Sequence, residues 1–450
     1  MPDFPQILEL PENDTIVAMA TPAGKGALAI LRISGPDSIR IISDVWTGRE
    51  ALVDIPGGSA RVGIIDTPEL KEKAVATIWR APNSYTGQDI VEITVHGSLP
   101  LVLSIERTII YLGARAAAPG EFTYRALING KMNLSEAGAV KALIDAPGMA
   151  AVRAASRTLA GEFESRARSL IDRLSRLSTD IAADTEFPEA VEGIEMEGLR
   201  EEIETVRFST KALLRDMKAG DKLSRLQSVV IVGPPNAGKS TLANALLGRD
   251  RSIVHSEPGT TRDIIESECD FGGVQAVLVD TAGLRDTDHG IELIGVDLAH
   301  KRLATADLVI NLVDANVPVT EDVEKTLRLT KKIDRIIVLN KTDLKKTAII
   351  DADIEISSLT GKGVGSLREL IAKRLIGEES DALWAGEWQI DRVSSAIDCM
   401  GNAGLAVENT AVDAALEELL EAENSLRKAI GENAGKDIIS RVLDDFCIGK

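Results

Sequence analysis

The chain is short of cysteine, of long apolar runs and of positive charge. Its 450 residues include three cysteines, Cys269, Cys399 and Cys447. They are too widely spaced for a metal-ligand pattern or a disulfide framework, which fits a reducing compartment. No apolar run approaches the ~18 residues of a membrane span, and no basic-then-apolar leader opens the sequence. The expectation is a cytoplasmic protein with no membrane segment. Lysine and arginine number 51 against 70 acids, a net charge of −19. That balance argues against broad nonspecific nucleic-acid binding, which needs clustered positive charge, while leaving room for a local basic patch or help from a partner. What is present is ordinary for globular protein: 44% hydrophobic and 27% charged residues, in a length that suits about three domains.

The most informative stretch is Gly233-Pro-Pro-Asn236-Ala237-Gly238-Lys239-Ser240-Thr241. The apolar run Val229–Val232 precedes it, and good helix formers, Leu242 to Leu247, follow. Strand, glycine-rich turn and helix form the context of a phosphate-binding loop. The helix N-terminus offers unpaired N–H groups and partial positive charge to an anion. Lys239 can reach the outer phosphates, and the Ser240 hydroxyl suits Mg²⁺. The four fixed positions alone would recur by chance roughly once in a hundred chains of this length. Two further strand ends make chance a poor account. Val277–Val279 leads into Asp280-Thr281-Ala282-Gly283, and Ile336–Leu339 leads into Asn340-Lys341-Thr342-Asp343. A carboxylate such as Asp343 can accept two hydrogen bonds from a guanine edge, and a site built for that donor rejects adenine. With these motifs in order, residues 226–377 resemble a Ras-like GTPase domain. Ser357-Ser358-Leu359 resembles its last guanine-contacting loop, where alanine is usual at the Ser358 position. Strands are predicted at 227–232, 264–269, 274–279, 308–313, 336–339 and 354–356, alternating with helices in the doubly wound pattern.

Hydrolysis of GTP needs Mg²⁺, charge neutralisation between the β- and γ-phosphates, and a positioned water. Gly259-Thr260-Thr261-Arg262-Asp263 lies where a switch loop belongs, and Thr261 is the natural second Mg²⁺ ligand. Leu284 stands where a Ras-like enzyme carries its water-orienting glutamine, so another residue must do that work or hydrolysis is slow. His289 offers itself as a base, although a lone histidine on a polar loop is more often merely solvated.

Elsewhere the pattern is different. Residues 1–13 read as a polar extension. Thr15–Met19, Ala27–Ile33, Ala74–Trp79 and Ile90–Val95 are strand candidates, Pro82–Gly87 is turn chemistry, and Pro100–Leu112 is a helix. Residues 14–128 are therefore predicted to be an α+β domain. Charge content alone makes the polar groups of 113–134 a helix cap and a solvated loop. Helical periodicity then dominates from Ser135 to Lys218, with Leu159, Phe163, Leu170, Leu174, Leu177 and Ile181 in step, broken at Phe187-Pro188 before a helix from Leu199 to Met217. Helices resume after residue 378, with Val393, Ile397, Leu405, Leu416, Leu419, Leu420, Leu426, Ile430, Ile438, Val442 and Phe446 suited to packing faces. A GTPase domain flanked by two helical segments, 129–225 and 378–450, predicts insertion into one discontinuous all-α domain. The terminal Phe446-Cys447-Ile448-Gly449-Lys450 reads, by residue type, as a frayed tail.

Taken together, Asp14-Thr-Ile-Val-Ala18, Leu31-Arg-Ile-Ser-Gly35, Pro82-Asn-Ser-Tyr-Thr-Gly87, Pro119-Gly-Glu-Phe-Thr123, Asn129-Gly-Lys131, the GTPase motifs and the terminal Phe-Cys-Ile-Gly-Lys resemble the MnmE (TrmE) family of tRNA-modification GTPases. The resemblance covers nearly the whole chain. It implies a folate-binding N-terminal α+β domain that dimerises, a helical domain split by the GTPase domain, a homodimer, and a heterotetramer with the flavoprotein MnmG (GidA). It implies addition of a carboxymethylaminomethyl or aminomethyl group to carbon 5 of the wobble uridine of certain tRNAs. The one-carbon donor would be a tetrahydrofolate derivative, 5-formyl- or 5,10-methylene-tetrahydrofolate.

Carried over residue by residue, the resemblance makes Glu292 the water-orienting acid in place of Leu284 and His289. Asn236, backbone oxygens of His255 and Glu257, and Thr260 become potassium ligands, and Ser256, Pro258 and Gly259 complete the nucleotide-facing loop. Potassium there would supply the charge that an arginine finger supplies elsewhere. Arg32, Glu92, Lys131 and Lys450 become folate contacts, and Cys447 a catalytic residue beside the modification site. The chain departs from the family at Ala23, Ala27 and His255–Pro258, and Trp384–Cys399 matches weakly. Two competing readings are an Era- or Der-like ribosome-assembly switch, disfavoured by the charge balance and the N-terminal motifs, and a scaffold that holds nucleotide without turnover, disfavoured by Glu292 and Asn236.

Overall fold

The computed structural model describes residues 11, 13–186, 195–248, 266–280, 303, 305–377, 381–432, 435–443, 446 and 449. In chain order, β1 is Ile16–Met19, β2 Leu28–Ser34, α1 Ser38–Ser43, β3 Trp46–Gly48, β4 Ser59–Asp66, β5 Lys71–Trp79 and β6 Ile90–His96. α2 (Leu99–Tyr111), β7 (Arg115–Ala116), α3 (Glu121–Ile128), α4 (Leu134–Ile144), α5 (Met149–Leu159), α6 (Glu162–Glu186) and α7 (Met196–Leu223) follow. The next group is β8 (Gln227–Val232), α8 (Lys239–Leu247), β9 (Glu266–Phe271), β10 (Val274–Asp280), β11 (Leu308–Asp314), α9 (Glu321–Leu329), β12 (Arg335–Asn340), β13 (Ile354–Glu355) and α10 (Val364–Ile376). α11 (Glu387–Glu408), α12 (Val412–Ala429) and α13 (Lys436–Leu443) complete the described elements.

Two compact units emerge. One comprises residues 1–141, 164–206 and 391–450, the other 142–163 and 207–390. Residues 142–163, 207–225 and 378–390 cluster with the GTPase sheet.

The first unit contains a seven-stranded sheet in the order β3-β4-β5-β6-β2-β1-β7, antiparallel except for the β1–β7 pair. Period-two alternation sends Ala29, Leu31 and Ile33 of β2 into a core with Ile41 and Ile42 of α1 and Val102, Ile105 and Ile109 of α2. Arg32, between them, therefore faces the opposite side. There Ile16, Ala18, Ala117 and Phe122 form a smaller apolar cluster. Helices of the same unit carry buried stripes at helical spacing, Leu170, Leu174, Leu177 and Ile181 on α6 and Leu419, Ala422, Leu426 and Ala429 on α12. Salt bridges Arg173–Glu202 (2.6 Å) and Arg200–Glu408 (3.3 Å) link α6 to α7 and α7 to α11. Leu405 and Leu420, predicted for packing faces, are instead exposed, because each lies off its helix's buried stripe.

The solvated-loop reading of 113–134 is also overturned. Pro119-Gly120 leads into α3, whose Glu121 and Arg125 are each 1% exposed. Arg125 donates to Glu121 (2.9 Å), to the Asp14 carboxylate and to the Asp14 carbonyl (2.6 Å). Arg115 bridges Glu121 (2.6 Å) and Asp14 (2.7 Å). Two acids and two bases thus neutralise one another where a lone charge would be costly. The cap half of the reading holds: the Asn133 side chain accepts from the Glu136 N–H (2.8 Å), and Glu136 accepts from the Asn133 N–H (2.9 Å). In the C-terminal segment two described residues, Phe446 and Gly449, are not frayed. Phe446 is 6% exposed, and Gly449 is buried with a close approach to the Met19 carbonyl.

In the second unit the sheet order is β13-β12-β11-β8-β10-β9, parallel except for β9 against β10. β11 is buried along its whole length, as a strand covered on both faces should be. β8 lies between β10 on one side and β11 on the other, the strand-order reversal at which a crevice opens at the carboxyl ends of parallel strands. α5 packs on the β9–β10 turn, with the Ala150 N–H donating to the Gly273 carbonyl (2.9 Å).

Candidate functional site

At that crevice β8 ends and the loop 233–238 begins. Gly238, at φ 96°, caps α8, and a Cβ there would stand 2.6 Å from Asn340 Nδ2. Only glycine fits both demands. Lys239 Nζ curls over the loop and donates to the Gly233 and Pro234 carbonyls, each at 3.0 Å. Ser240, Thr241 and Asn236 are exposed around it, and Ala237 is buried. The first-turn amides of α8 and an ammonium therefore stand at one loop, an arrangement suited to an anion.

The guanine motif is locked to this loop. Asn340, 1% exposed, donates from Nδ2 to the Ala237 carbonyl (2.8 Å). Its Oδ1 accepts both the Ser358 N–H and the Ser358 hydroxyl, each at 2.9 Å. The Ser358 hydroxyl thus adds a bond that alanine could not make. Lys341, at the left-handed φ of 63°, donates to the Asn236 carbonyl (2.6 Å). Asp343 is exposed, and Ser357 is fully buried. Three loops distant in sequence are held by one asparagine and one lysine. Asp280 closes β10 opposite Ile231 of β8, one strand from the phosphate loop. Thr281, Ala282, Gly283, His255, Ser256, Glu257, Pro258, Gly259, Thr260, Thr261, Leu284, His289 and Glu292 lie outside the described residues.

A cavity of about 510 Å³ opens in the other unit. Arg32, Glu92 and Lys131 line it together with Trp79, Ser84 and Tyr85. Arg32 and Glu92 are direct cross-strand partners on β2 and β6, and their side chains form an ion pair at 2.8 Å. The Arg32 guanidinium lies 5.5 Å from the Tyr85 ring centroid and 5.7 Å from that of Phe122. It is held by charge on one side and by two π-faces on others. Burial pushes the Tyr85 phenol above its ordinary pKa, against the opposing pull of a hydrogen bond with Thr123 and the Arg32 charge, so it stays neutral. The turn 82–87 is fixed against Asn129–Lys131: Asn129 donates to the Thr86 carbonyl (2.7 Å), and Gly87 sits at φ 78° close to the Lys131 stem. The C-terminal segment arrives here as well, since Arg32 donates to the Gly449 carbonyl at 3.4 Å. Lys450 and Cys447, on either side of Gly449, lie outside the described residues.

Sequence reasoning missed Trp79 and Tyr85 as cavity walls. Tyr85 stood in a segment read as a turn and as part of the family resemblance, with no role given to its side chain, and Trp79 ends a strand without a motif.

Two family profiles match the chain. That described as GTP-binding protein TrmE N-terminus covers residues 15–131, and that described as 50S ribosome-binding GTPase covers 228–341. A tRNA modification GTPase MnmE of Thermus thermophilus is 37% identical over 441 residues, spanning 97% of this chain and 99% of its own. Proteins of the same name from a Synechococcus species and from Geobacillus thermodenitrificans are 35% and 33% identical, each over 98% of this chain and 100% of their own. Among solved structures, Aquifex aeolicus Era bound to GDP and aluminium fluoride is 24% identical over 39% of this chain and 67% of its own, with a TM-score of 0.27. The G domain of the T. maritima FeoB iron transporter is 28% identical over 33% and 99%, with a TM-score of 0.26. A TrmE-type N-terminal domain, a Ras-like GTPase domain and near full-length relatives at this identity make the chain a GTP-hydrolysing enzyme of tRNA modification, belonging to the MnmE (TrmE) family.

Proposed function

We propose that this GTPase depends on potassium and works with the flavoprotein MnmG to add a carboxymethylaminomethyl or aminomethyl group to carbon 5 of the wobble uridine of certain tRNAs. The one-carbon unit comes from a tetrahydrofolate derivative. The observation that carries the reading is the convergence of Arg32, Glu92 and Lys131 on one cavity, within the region that matches the TrmE N-terminus. These donors suit a folate. A carboxylate can accept from a pterin N–H edge, and an ammonium suits the glutamate-tail carboxylates. Arg32 is already paired with Glu92, so its role is to hold that carboxylate in place, while Lys131, joined by Lys450, supplies charge to the tail. Cys447 acts as a catalytic residue in the modification.

In the GTPase domain, Ser240 and Thr261 hold Mg²⁺. Asn236, His255, Glu257 and Thr260 hold potassium, which supplies positive charge between the β- and γ-phosphates. The exposed position of Asn236 and the tether on its carbonyl leave its side chain available for this role. Glu292 orients the attacking water. The GTPase domain is inserted into the helical domain, and the chain acts as a cytoplasmic homodimer.

Steady-state GTP hydrolysis in KCl and in NaCl at matched ionic strength tests the ion. Potassium should stimulate by at least about tenfold, less than an arginine finger achieves, and Glu292→Ala should abolish the stimulation. Equal rates in both salts would overturn the potassium mechanism. Calorimetric titration with 5-formyl-tetrahydrofolate tests the cavity: binding to the wild type that Glu92→Ala loses is expected, and no wild-type binding would overturn the folate assignment.

A further inference from the structure

Asp314 has no part in the motifs described so far, yet it stands where they meet. It ends β11 in register with Asn340 of β12, and the Ala315 N–H donates to the Asn340 carbonyl (2.8 Å). The Asp314 residue is only 9% exposed. Its Oδ1 accepts the Asn316 N–H (2.9 Å), which fixes the carboxylate's orientation. Its Oδ2 then meets Lys341 Nζ at 2.6 Å. The same ammonium donates to the Asn236 carbonyl, also at 2.6 Å. Two of the three residues in this chain of contacts have left-handed backbone. Asn236 has φ 60° and Lys341 has φ 63°, a region that lysine rarely adopts. Strained backbone at a site persists only where surrounding contacts over-determine it.

We infer that Asp314 is a positioning residue for nucleotide binding, acting through Lys341 on the phosphate loop. Its carboxylate pins the lysine ammonium, and the ammonium holds Asn236 and its loop in the shape that receives the phosphates. Without the carboxylate, Lys341 is a flexible four-carbon stem ending in a strongly hydrated charge, free to turn to water. The inference rests on the GTPase activity alone and is independent of the potassium and folate assignments.

A double-mutant cycle on the full chain tests it, with binding of a fluorescent methylanthraniloyl-GDP as the readout. Asp314→Asn keeps the side chain's size and its bond to the Asn316 N–H but removes the charge. Loss of a charge-assisted bond should weaken binding about tenfold. Lys341→Met should weaken it by at least as much. The double variant should bind no more than about twofold more weakly than Lys341→Met alone, because the carboxylate then has nothing to aim. A purely structural role would instead give losses that multiply in the double variant, and that result overturns the inference. So would wild-type affinity in Asp314→Asn. Thermal unfolding of each variant identifies the folded ones, and Asp314→Ser enters the same cycle should the asparagine variant not fold.

Discussion

Arg125 shows what a single residue hides from a one-dimensional reading. In the sequence it is one more arginine in a polar stretch, and such residues are usually exposed. In the fold it is 1% exposed and paired with Asp14, 111 residues earlier. Asp14 reports the pairing. Burial would raise its carboxyl, but hydrogen bonds and charge from Arg115 and Arg125 outweigh burial and hold it below the ordinary value near 3.8. A carboxyl whose folded pKa is depressed stabilises the fold above its unfolded pKa, and the contribution fades as pH falls through the folded pKa. Urea unfolding of wild type and Asp14→Asn between pH 3 and 7 should therefore show a gap that is full above about pH 5 and narrows steadily toward acid. A gap constant with pH would mean the ion pairs contribute nothing. The phosphate and guanine motifs were legible for the opposite reason. Their chemistry needs backbone amides, a lysine and an acid at adjacent positions, so the whole requirement is written within a few residues. Arg32 and Glu92 are cross-strand partners 60 residues apart, and only the family resemblance brought them together in advance.

Elements were legible where burial enforces a period. β8 was predicted at its observed bounds, and β11 and β12 within a residue at each end, because strands covered on both faces read as unbroken apolar runs. β3 and β4 were not foreseen. Gly48 and Gly63 are register partners, and a Cβ on either would strike the Trp46 indole, so the strands carry glycine where β-formers are expected. β7 has two residues and offers no period at all. Gly120 plays a comparable part at the start of α3. It sits at φ 72°, and a Cβ there would lie 3.0 Å from the Leu443 carbonyl and 3.1 Å from the Phe446 side chain. Gly120→Ala meets both strain and contact, and should cost at least about 1 kcal/mol of stability. Because the contacts are to the end of α13 and to Phe446, hydrogen exchange in 435–446 should quicken more than in α8 or β12. Uniform quickening would show that α3 does not anchor the C-terminal segment.

At the scale of the whole molecule, charge sets the terms on which an enzyme of tRNA modification can meet its substrate. A chain with 70 acids and 51 bases repels a polyanion on average, and any binding it achieves must come from a few local contacts. Each phosphate neutralised by lysine or arginine releases counterions, so the salt dependence of affinity counts those contacts. Several of this chain's cations are already committed to neighbouring acids. Arg32 serves Glu92, Arg115 and Arg125 serve Asp14 and Glu121, and Lys341 serves Asp314. Fluorescence anisotropy of labelled tRNA with the isolated chain, titrated at KCl concentrations from about 50 to 300 mM, should give weak binding and a log–log slope no steeper than about −2. A slope near −6 would require a basic surface that the composition argues against. Should the slope steepen when the proposed flavoprotein partner is added, the partner supplies the phosphate contacts, and this chain's share of recognition does not lie along the nucleic-acid backbone.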